Sequence, residues 1–314
     1  MKIGFVFPGQ GSQSVGMMAG FDAHPAVRAT FDEASSVLGE DLWAMVTTGP
    51  EAELGRTVNT QPVMLTAGVA VWRAWHAAGG ARPAVMAGHS LGEYTALVAS
   101  GALAFADALP LVRFRARAMQ EAVPAGVGAM AAILGLPAAA VDEACRAAAA
   151  ESGAARVVEP VNFNTPEQTV IAGHRDAVER AIAIAGEKGA KRGVLLPVSA
   201  PFHSTLLRPA ALRLGERLAA VAFGAPQIPL VHNVDVAEHA SADAIRAALA
   251  RQAESPVRWV ETIEAFVARG VTHVVECGPG RVLAGLNKRI ARELKSFALT
   301  DGADLDAALT ALAG

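Results

Sequence analysis

The sequence predicts an α/β protein with a parallel sheet, and three observations support this prediction. The stretch "KIGFVFPGQG" is a short apolar run that stops at a Pro-Gly turn, as a buried strand does. "PAVMAG" is a second apolar run without alternation, which is typical of a parallel strand covered on both faces. "LGEYTALVASGAL" follows directly and repeats apolar residues at helical spacing. Strand, tight turn and helix in this order indicate an α/β fold, and further strands are expected near "IPLVHNVDV" and "THVVECGPG".

A different pattern begins at Gly128. "AMAAILGL" is a predicted strand, and "PAAAVDEACRAAAAE" is a predicted helix opened by Pro137. Two strands, "RVVEPVNFN" and "QTVIAGH", then flank a turn, and the helix "RDAVERAIAIAGEKG" and the strand "AKRGVLLPV" complete the unit. This β-α-β-β-α-β order is that of a ferredoxin-like unit. We therefore expect an α/β-hydrolase-like large domain with a parallel sheet, residues 1–126 and 198–314, plus an inserted ferredoxin-like small domain, residues 127–197.

Composition and charge exclude several classes of protein. The chain has 314 residues, of which 52% are hydrophobic and 18% charged, and this is a globular composition. A formal net charge of −3 gives no overall field for nucleic acid or an anionic membrane, so we expect neither partner. "MKIGFVFPG" is too short for a secretory signal, and no apolar run reaches 18 residues. Cys145 and Cys277 are expected to be half-buried free thiols in a cytoplasmic protein.

The stretch "MAGHSLGEYT" allows two interpretations of Ser90. Ser90 and Glu93 have the spacing of a capping box, which would make the serine a helix cap. The same serine lies in a G-x-S-x-G pattern between a strand and a helix, where flanking glycines allow a sharp turn that exposes a nucleophile. The second interpretation is favoured because strand and helix are both in place, and oriented N–H groups at the helix start would stabilise an oxyanion.

A serine nucleophile needs a base, and His203 in "PVSAPFHSTLL" is the candidate because it follows a predicted strand in a turn with proline. His89 is expected to be structural, since neighbours on a sharp turn point apart. No acid is evident to orient His203. Either a distant carboxylate such as that of Asp235 or a backbone carbonyl would do so.

The helix "DALPLVRFRARAMQEAV" places Arg115 in the middle of an apolar arc, while Arg113, Arg117 and Gln120 take the opposite face. A buried arginine needs an anion, because it stays protonated. A structural ion pair and a stem that covers the core with its head in water are two explanations. A bidentate clamp for a substrate carboxylate is the third, and helical spacing alone does not separate them.

Seven segments taken together resemble the malonyl-CoA:acyl-carrier-protein transacylases of bacterial fatty-acid synthesis: "FVFPGQGSQ", "GHSLGEYTALVASG", "FRARAMQEAV", "VNFN", "PVSAPFH", "RQAESPVRW" and "ECGPG". The resemblance runs in order from Lys2 nearly to the end of the chain. It implies that Ser90 is the acylated nucleophile and His203 the general base. It also implies substrate-binding roles for Arg115, Gln252 and Asn164, an oxyanion hole of the Gln10 and Leu91 N–H groups, and a backbone carbonyl of Gln252 that orients the histidine. Phe202 resembles the malonyl-selective pattern.

The resemblance implies an acyltransferase that moves malonyl from malonyl-CoA to the phosphopantetheine thiol of acyl carrier protein through a malonyl-serine, in ping-pong order. The expected partners are malonyl-CoA and acyl carrier protein, with Lys191-Arg192 and Lys288-Arg289 as candidate contacts for an acidic carrier. We expect no cofactor, no metal and a monomer. The alternatives are a serine hydrolase or thioesterase, since G-x-S-x-G is widely shared, and a non-catalytic binding module.

Overall fold

The structure is a computed structural model that describes residues 1–153, 155–198 and 200–313. The strands are β1 (Ile3–Phe7), β2 (Val85–Gly88), β3 (Gly128–Leu134), β4 (Val158–Thr165), β5 (Gln168–His174), β6 (Arg192–Leu195), β7 (Leu230–Val231), β8 (His273–Cys277) and β9 (Lys295–Leu299). The α-helices are α1 (Pro25–Leu38), α2 (Leu42–Thr47), α3 (Glu51–Leu54), α4 (Thr57–Ala77), α5 (Gly92–Ala99), α6 (Phe105–Glu121), α7 (Ala138–Ser152), α8 (Arg175–Glu187), α9 (Arg208–Ala219), α10 (Ala242–Gln252), α11 (Trp259–Ala268), α12 (Val282–Ile290) and α13 (Gly302–Leu312).

The large sheet contains five parallel strands in the order β7-β2-β1-β8-β9. Every residue of β1 and β2 is buried, as their unbroken apolar runs predict. In β1, Phe5 and Phe7 face a core shared with α1, α4 and α6, whereas Val6 faces α11 and α12 on the other side. Helices therefore cover both faces of the sheet, which confirms the predicted α/β fold with a parallel sheet.

The second sheet is antiparallel, with the order β4-β5-β3-β6. Its elements follow one another as β3-α7-β4-β5-α8-β6, which is the ferredoxin-like order expected from the sequence. In β3, Ala131 and Ile133 pack against α7 and α8, while Met130 between them belongs to the core of the large unit. The two sheets thus share a core along one face of the small sheet. The domain limits at residues 126–127 and 197–198 stay a prediction, and Gly314 lies outside the described residues.

Strand β4 is also joined to the large unit by backbone hydrogen bonds. Val257 donates its N–H to the Val161 carbonyl (2.9 Å) and accepts the N–H of Phe163 (3.0 Å). The segment that follows α10 is therefore held against the small sheet, and this fixes the position of residues at the end of α10.

One expectation from the sequence, the half-burial of the two cysteines, needs correction. Cys145 and Cys277 are free thiols as expected, but both are fully buried rather than half-buried, and burial raises the pKa of the Cys145 thiol to about 12.

Within the described ranges no three His, Cys, Asp or Glu side chains are grouped to hold a metal ion. No helix there is both long and apolar enough to cross a bilayer.

The turn between β2 and α5 depends on two glycines, and the reason is close packing. A Cβ atom on Gly88 would lie 1.9 Å from the carbonyl carbon of Gly92, and one on Gly92 would lie 2.0 Å from the carbonyl oxygen of Phe7. The left-handed backbone of the turn is at Ser90 instead, with φ of 52°. The glycines thus let β1 and the start of α5 approach each other, and the serine itself makes the sharp bend.

We predict that Gly92→Ala lowers the free energy of unfolding by roughly 3 kcal/mol, because the methyl group would overlap a backbone oxygen that cannot move aside. Gly285→Ala in α12 is the matched control, since nothing lies within 4 Å of its Cβ position. It should leave stability unchanged or raise it by about 0.5–1 kcal/mol. Urea unfolding of both variants measures this, and equal stabilities of the two variants would contradict the prediction.

Candidate active site

The candidate site lies where parallel strands of the large sheet end. Gln10 follows β1, Ser90 follows β2 and Asn233 follows β7, and the carboxyl ends of parallel strands meet at one edge of a sheet. A cavity of about 120 Å³ opens there. Its lining residues come from both sheets: Gln10, Gln61, His89, Ser90, Leu91, Arg115, Met119, Met130, Asn162, Leu196, Val198, Phe202 and His203.

Ser90 is held at its bend by hydrogen bonds on both sides of its backbone. Its N–H donates to Asn233 Oδ1 (2.8 Å), and its carbonyl accepts from Gln252 Nε2 (3.0 Å). Its Oγ lies 2.7 Å from His203 Nε2 and 3.1 Å from Arg115 Nη2. The hydroxyl makes no cap to α5, which has no side-chain cap at its start. The capping-box interpretation is therefore wrong, and the turn exposes the hydroxyl to the cavity.

His203 is buried, with only 4% of its surface exposed, and has a positive φ of 67°. Its Nδ1 lies 2.8 Å from the backbone carbonyl of Gln252. Since a carbonyl only accepts, Nδ1 carries the proton, which leaves Nε2 as the acceptor that faces the Ser90 hydroxyl. Burial and, second to it, the nearby Arg115 guanidinium together lower the pKa of His203 to about 3.

Asp235 does not orient His203. Its Oδ2 accepts hydrogen bonds from His239 (3.0 Å) and from Arg251 (2.7 Å). The sequence left two groups that could orient His203, a distant carboxylate or a backbone carbonyl. In the structure, the backbone carbonyl of Gln252 has this position.

Arg115 projects from α6 into the cavity and is 1% exposed. Besides Ser90, its guanidinium donates to Gln61 Oε1 (2.9 Å) and Gln252 Oε1 (3.0 Å), and it lies 5.4 Å from the Tyr94 ring centre. Burial lowers its pKa from the usual value. None of the described carboxylates is within ion-pair distance of it, so it is not part of a structural salt bridge, and its head does not reach water.

Arg113 needs a correction. Assigned to the polar face of α6, it is nevertheless largely covered, and it pairs with Glu40 through both terminal nitrogens. The helical spacing placed Arg113 and Arg115 on different faces of α6. It did not predict that the side chain on the polar face is also shielded from solvent.

The two predicted oxyanion donors are neighbours in the structure. A Cβ on Gly9 would lie 2.6 Å from the His89 carbonyl oxygen and 3.7 Å from the Leu91 nitrogen, so the chain before Gln10 runs along the serine turn. Gln10 and Leu91 both line the cavity beside Ser90. Within the described chain, no hydrogen bond is donated by the backbone N–H of either residue.

Gln252 is fully buried and contacts the side chains of His203 and Arg115 and the backbone of Ser90. Its backbone carbonyl contacts His203, its Oε1 accepts from Arg115, and its Nε2 donates to the Ser90 carbonyl. Gln252 therefore lies behind the cavity and positions the groups that line it. Its carbonyl contacts His203 as the resemblance implied, and its implied substrate-binding role stays a prediction.

Asn164 does not line the cavity. Its Oδ1 lies 2.9 Å from His89 Nε2, and the His89 ring also packs against Trp259 with ring centres 5.4 Å apart. Asn162, two residues earlier on β4, lines the cavity instead. The sequence analysis singled out only Asn164 of "VNFN", so Asn162 was missed. His89 has the structural contacts expected of it.

Comparisons with known proteins agree with this arrangement. A family model described as an acyl transferase domain matches residues 4–304. The malonyl CoA-acyl carrier protein transacylase of Salmonella typhimurium is 54% identical over 310 residues, which covers 98% of this chain and 99% of the relative. The crystal structure of an acyl-carrier-protein S-malonyltransferase from Burkholderia pseudomallei is 59% identical, with a TM-score of 0.96 and coverage of 99% and 100%.

A third similar structure is a malonyl-transacylase in complex with a type II PKS acyl-carrier protein. It is 51% identical to this chain, with a TM-score of 0.96 and coverage of 99% and 100%. The chain therefore belongs to the acyl transferase family. Within that family it groups with the malonyl-CoA:acyl-carrier-protein transacylases, which confirms the resemblance that its motifs showed.

The low pKa of His203 gives a testable pH dependence. The neutral imidazole is the form that accepts the Ser90 proton, and it is lost only as the pH falls through the pKa, here about 3. Inactivation of Ser90 by a sulfonyl fluoride should therefore be nearly constant from pH 7 to pH 5. A histidine with the ordinary pKa of about 6.5 would lose roughly 25-fold over that range.

Arg115→Met is the matched variant, because it removes the charge that lowers the His203 pKa while filling similar space. Its acid limb should move to higher pH. A wild-type midpoint near 6.5, or identical limbs in both proteins, would contradict the assignment of this electrostatic environment.

Proposed function

We propose that this protein transfers a malonyl group from malonyl-CoA to the phosphopantetheine thiol of acyl carrier protein through a malonyl-Ser90 intermediate. The observation that carries the proposal is the buried Arg115 guanidinium, 3.1 Å from the Ser90 hydroxyl, with only neutral oxygen atoms as its described partners. A buried cation of this kind calls for an anion. The free carboxylate of a malonyl thioester supplies that anion at a short distance from its reacting carbonyl.

In the first half-reaction, Ser90 Oγ attacks the malonyl thioester carbonyl while His203 Nε2 takes its proton. The negative oxygen of the tetrahedral intermediate is stabilised by the N–H groups of Gln10 and Leu91, and removal of one such donor typically costs about 3–4 kcal/mol of barrier. Collapse breaks the C–S bond, and the imidazolium returns the proton to the leaving coenzyme A sulfur. The products are malonyl-Ser90 and free coenzyme A.

In the second half-reaction, the carrier's thiol enters where coenzyme A left. His203 removes the thiol proton, the sulfur attacks the malonyl-serine carbonyl, and collapse breaks the ester C–O bond. The proton then passes from His203 to Ser90 Oγ, which regenerates the free enzyme. Because one thiol must leave before the other binds, the order is ping-pong.

Selectivity follows from charge and size together. Arg115 favours an acyl group that ends in a carboxylate, because an acetyl group would leave the buried cation unpaired. The cavity of about 120 Å³ limits the acyl chain to a few atoms, with Met119, Met130 and Phe202 among its walls. These walls support malonyl as the preferred group.

A basic cleft is the proposed contact for the acidic carrier. Its volume is about 870 Å³, and Lys191, Lys288, Arg289 and Arg292 line it together with one acidic residue, Glu167. The cleft lies between β3, the turn between β4 and β5, and α12, so it borders both sheets. Of the four residues in the two predicted basic pairs, Arg192 is exposed but is not among those that line the cleft. The monomeric state and cytoplasmic location expected from the sequence stay predictions.

The proposal is tested by intact-mass analysis after incubation with malonyl-, methylmalonyl- and acetyl-CoA in parallel. We expect a malonyl adduct on Ser90, far less acetyl adduct, and no adduct on Ser90→Ala. Adding a phosphopantetheine thiol should remove the malonyl group much faster than water does. Loss to water at the same rate would indicate a hydrolase instead, and an unmodified wild-type protein would overturn the proposal.

A further inference from the structure

Glu93 is a fully buried carboxylate in the first turn of α5, three residues after Ser90. No lysine or arginine among the described residues lies within ion-pair distance of it. A buried charge is stable only when hydrogen bonds satisfy it. Three donors do so: His232 Nδ1 at 2.7 Å from Oε1, and the Asn233 N–H at 3.0 Å and Gln252 Nε2 at 2.9 Å from Oε2.

The charge of Glu93 determines which way the Gln252 amide points. An ionised carboxylate only accepts hydrogen bonds, so the amide must turn its NH₂ group toward Glu93. That orientation leaves Oε1 as the acceptor for Arg115 Nη2, at 3.0 Å. The reversed amide would place two donors against each other at Arg115. The charge of Glu93 thus determines that Gln252 presents its oxygen atom to Arg115. This contact holds the guanidinium toward the cavity.

The second contact of Glu93 acts on the serine turn. Asn233, whose N–H is bound by Glu93, accepts the Ser90 N–H through Oδ1 (2.8 Å) and donates Nδ2 to the Gly88 carbonyl (2.7 Å). The Ser90 carbonyl is bound by the same Gln252 NH₂ group that contacts Glu93. Both backbone groups that hold Ser90 at its positive φ are therefore anchored on one carboxylate.

We propose that Glu93 is the acidic member of this active site, a positioning residue that acts through Gln252 on Arg115 and through Gln252 and Asn233 on Ser90. This inference rests on the proposed function. In this arrangement none of the described carboxylates touches the histidine. The negative charge lies one residue behind the site and orients the nucleophile and the carboxylate-binding cation together. A residue with a merely structural role would change stability without changing which acyl group is chosen.

The test compares wild type, Glu93→Gln and Glu93→Asp in single-turnover acylation of Ser90 at saturating malonyl-CoA and, separately, saturating acetyl-CoA. The glutamine has no charge, and its NH₂ group would meet one of three existing donors. We expect Glu93→Gln to lower the malonylation rate constant about 100-fold and the malonyl-to-acetyl ratio at least tenfold. Glu93→Asp keeps the charge with a shorter reach and should fall between the two in both readouts.

Glu276→Gln is the matched control. Glu276 is also a fully buried glutamate, but its carboxylate accepts the N–H groups of Leu283 and Ala284 at the start of α12, away from the cavity. It should be acylated within about twofold of wild type with an unchanged malonyl-to-acetyl ratio, whatever its melting temperature. If Glu276→Gln changes the ratio as much as Glu93→Gln does, the effect is general destabilisation and the proposal fails.

The remaining outcomes are also decisive. A folded Glu93→Gln with rate and ratio within about threefold of wild type overturns the role of Glu93. If Glu93→Gln does not fold, Glu93→Asp decides: a lowered ratio supports the proposal and an unchanged ratio overturns it. A wild-type protein that forms no malonyl-Ser90 would instead overturn the proposed function, so the two failures are distinguishable.

Discussion

The arrangement of the site depends on one buried charge without a direct ion-pair partner among the described residues, the Arg115 guanidinium. It is buried beside the Ser90 hydroxyl and donates to three neutral oxygen atoms, while none of the carboxylates in the described chain reaches it. Neutral acceptors do not neutralise its charge, and its Nε has no hydrogen-bond partner among the described residues, so the free protein attracts an anion into a small cavity. Burial lowers the pKa of His203 and the same charge lowers it as well, which keeps the base neutral and ready to accept a proton.

Two residues of this site have a strained backbone conformation, and contacts with the rest of the protein must offset the energetic cost. Ser90 and His203 both have positive φ, which costs of the order of 1–3 kcal/mol for a residue other than glycine. Ser90 is fixed by Asn233 and Gln252, and His203 by the Gln252 carbonyl. Gln252 ends α10, and the segment after it is hydrogen-bonded to β4 of the small sheet. The small sheet therefore contributes to the site both as a wall of the cavity and as an anchor for the residue behind it.

The sequence predicted those parts of the molecule whose causes are local. Strands β1 and β2 were evident from unbroken apolar runs, and the small sheet from the order of its periodic segments. Strand β9 was missed because "KSFAL" is only half-buried at the edge of the sheet and has no long apolar run. Strand β7 was expected near "IPLVHNVDV" but is only two residues long, since pairing with β2 ends where the chain turns toward the site.

Site residues were predicted where helical spacing or a turn pointed to them. They were missed where their position depends on contacts with residues distant in the sequence. Ser90, His203 and Arg115 come together as expected. Glu93 was considered only in the less favoured capping-box alternative, because its spacing to Ser90 is visible in the sequence. Its actual partners, Asn233 and Gln252, are about 140 and 160 residues away. Tertiary hydrogen bonds of this kind leave no periodic pattern, which is also why Gln61 went unnoticed.

The central claim, that the buried guanidinium selects an acyl group with a free carboxylate, is tested most directly by Arg115→Ala. The measurement is the ratio of Ser90 acylation rates with malonyl-CoA and acetyl-CoA. Loss of a buried ion pair of about 3–5 kcal/mol corresponds to a fall of roughly 10²- to 4 × 10³-fold in malonylation. The account predicts that fall together with a relative gain for acetyl-CoA, and an unchanged ratio would contradict it.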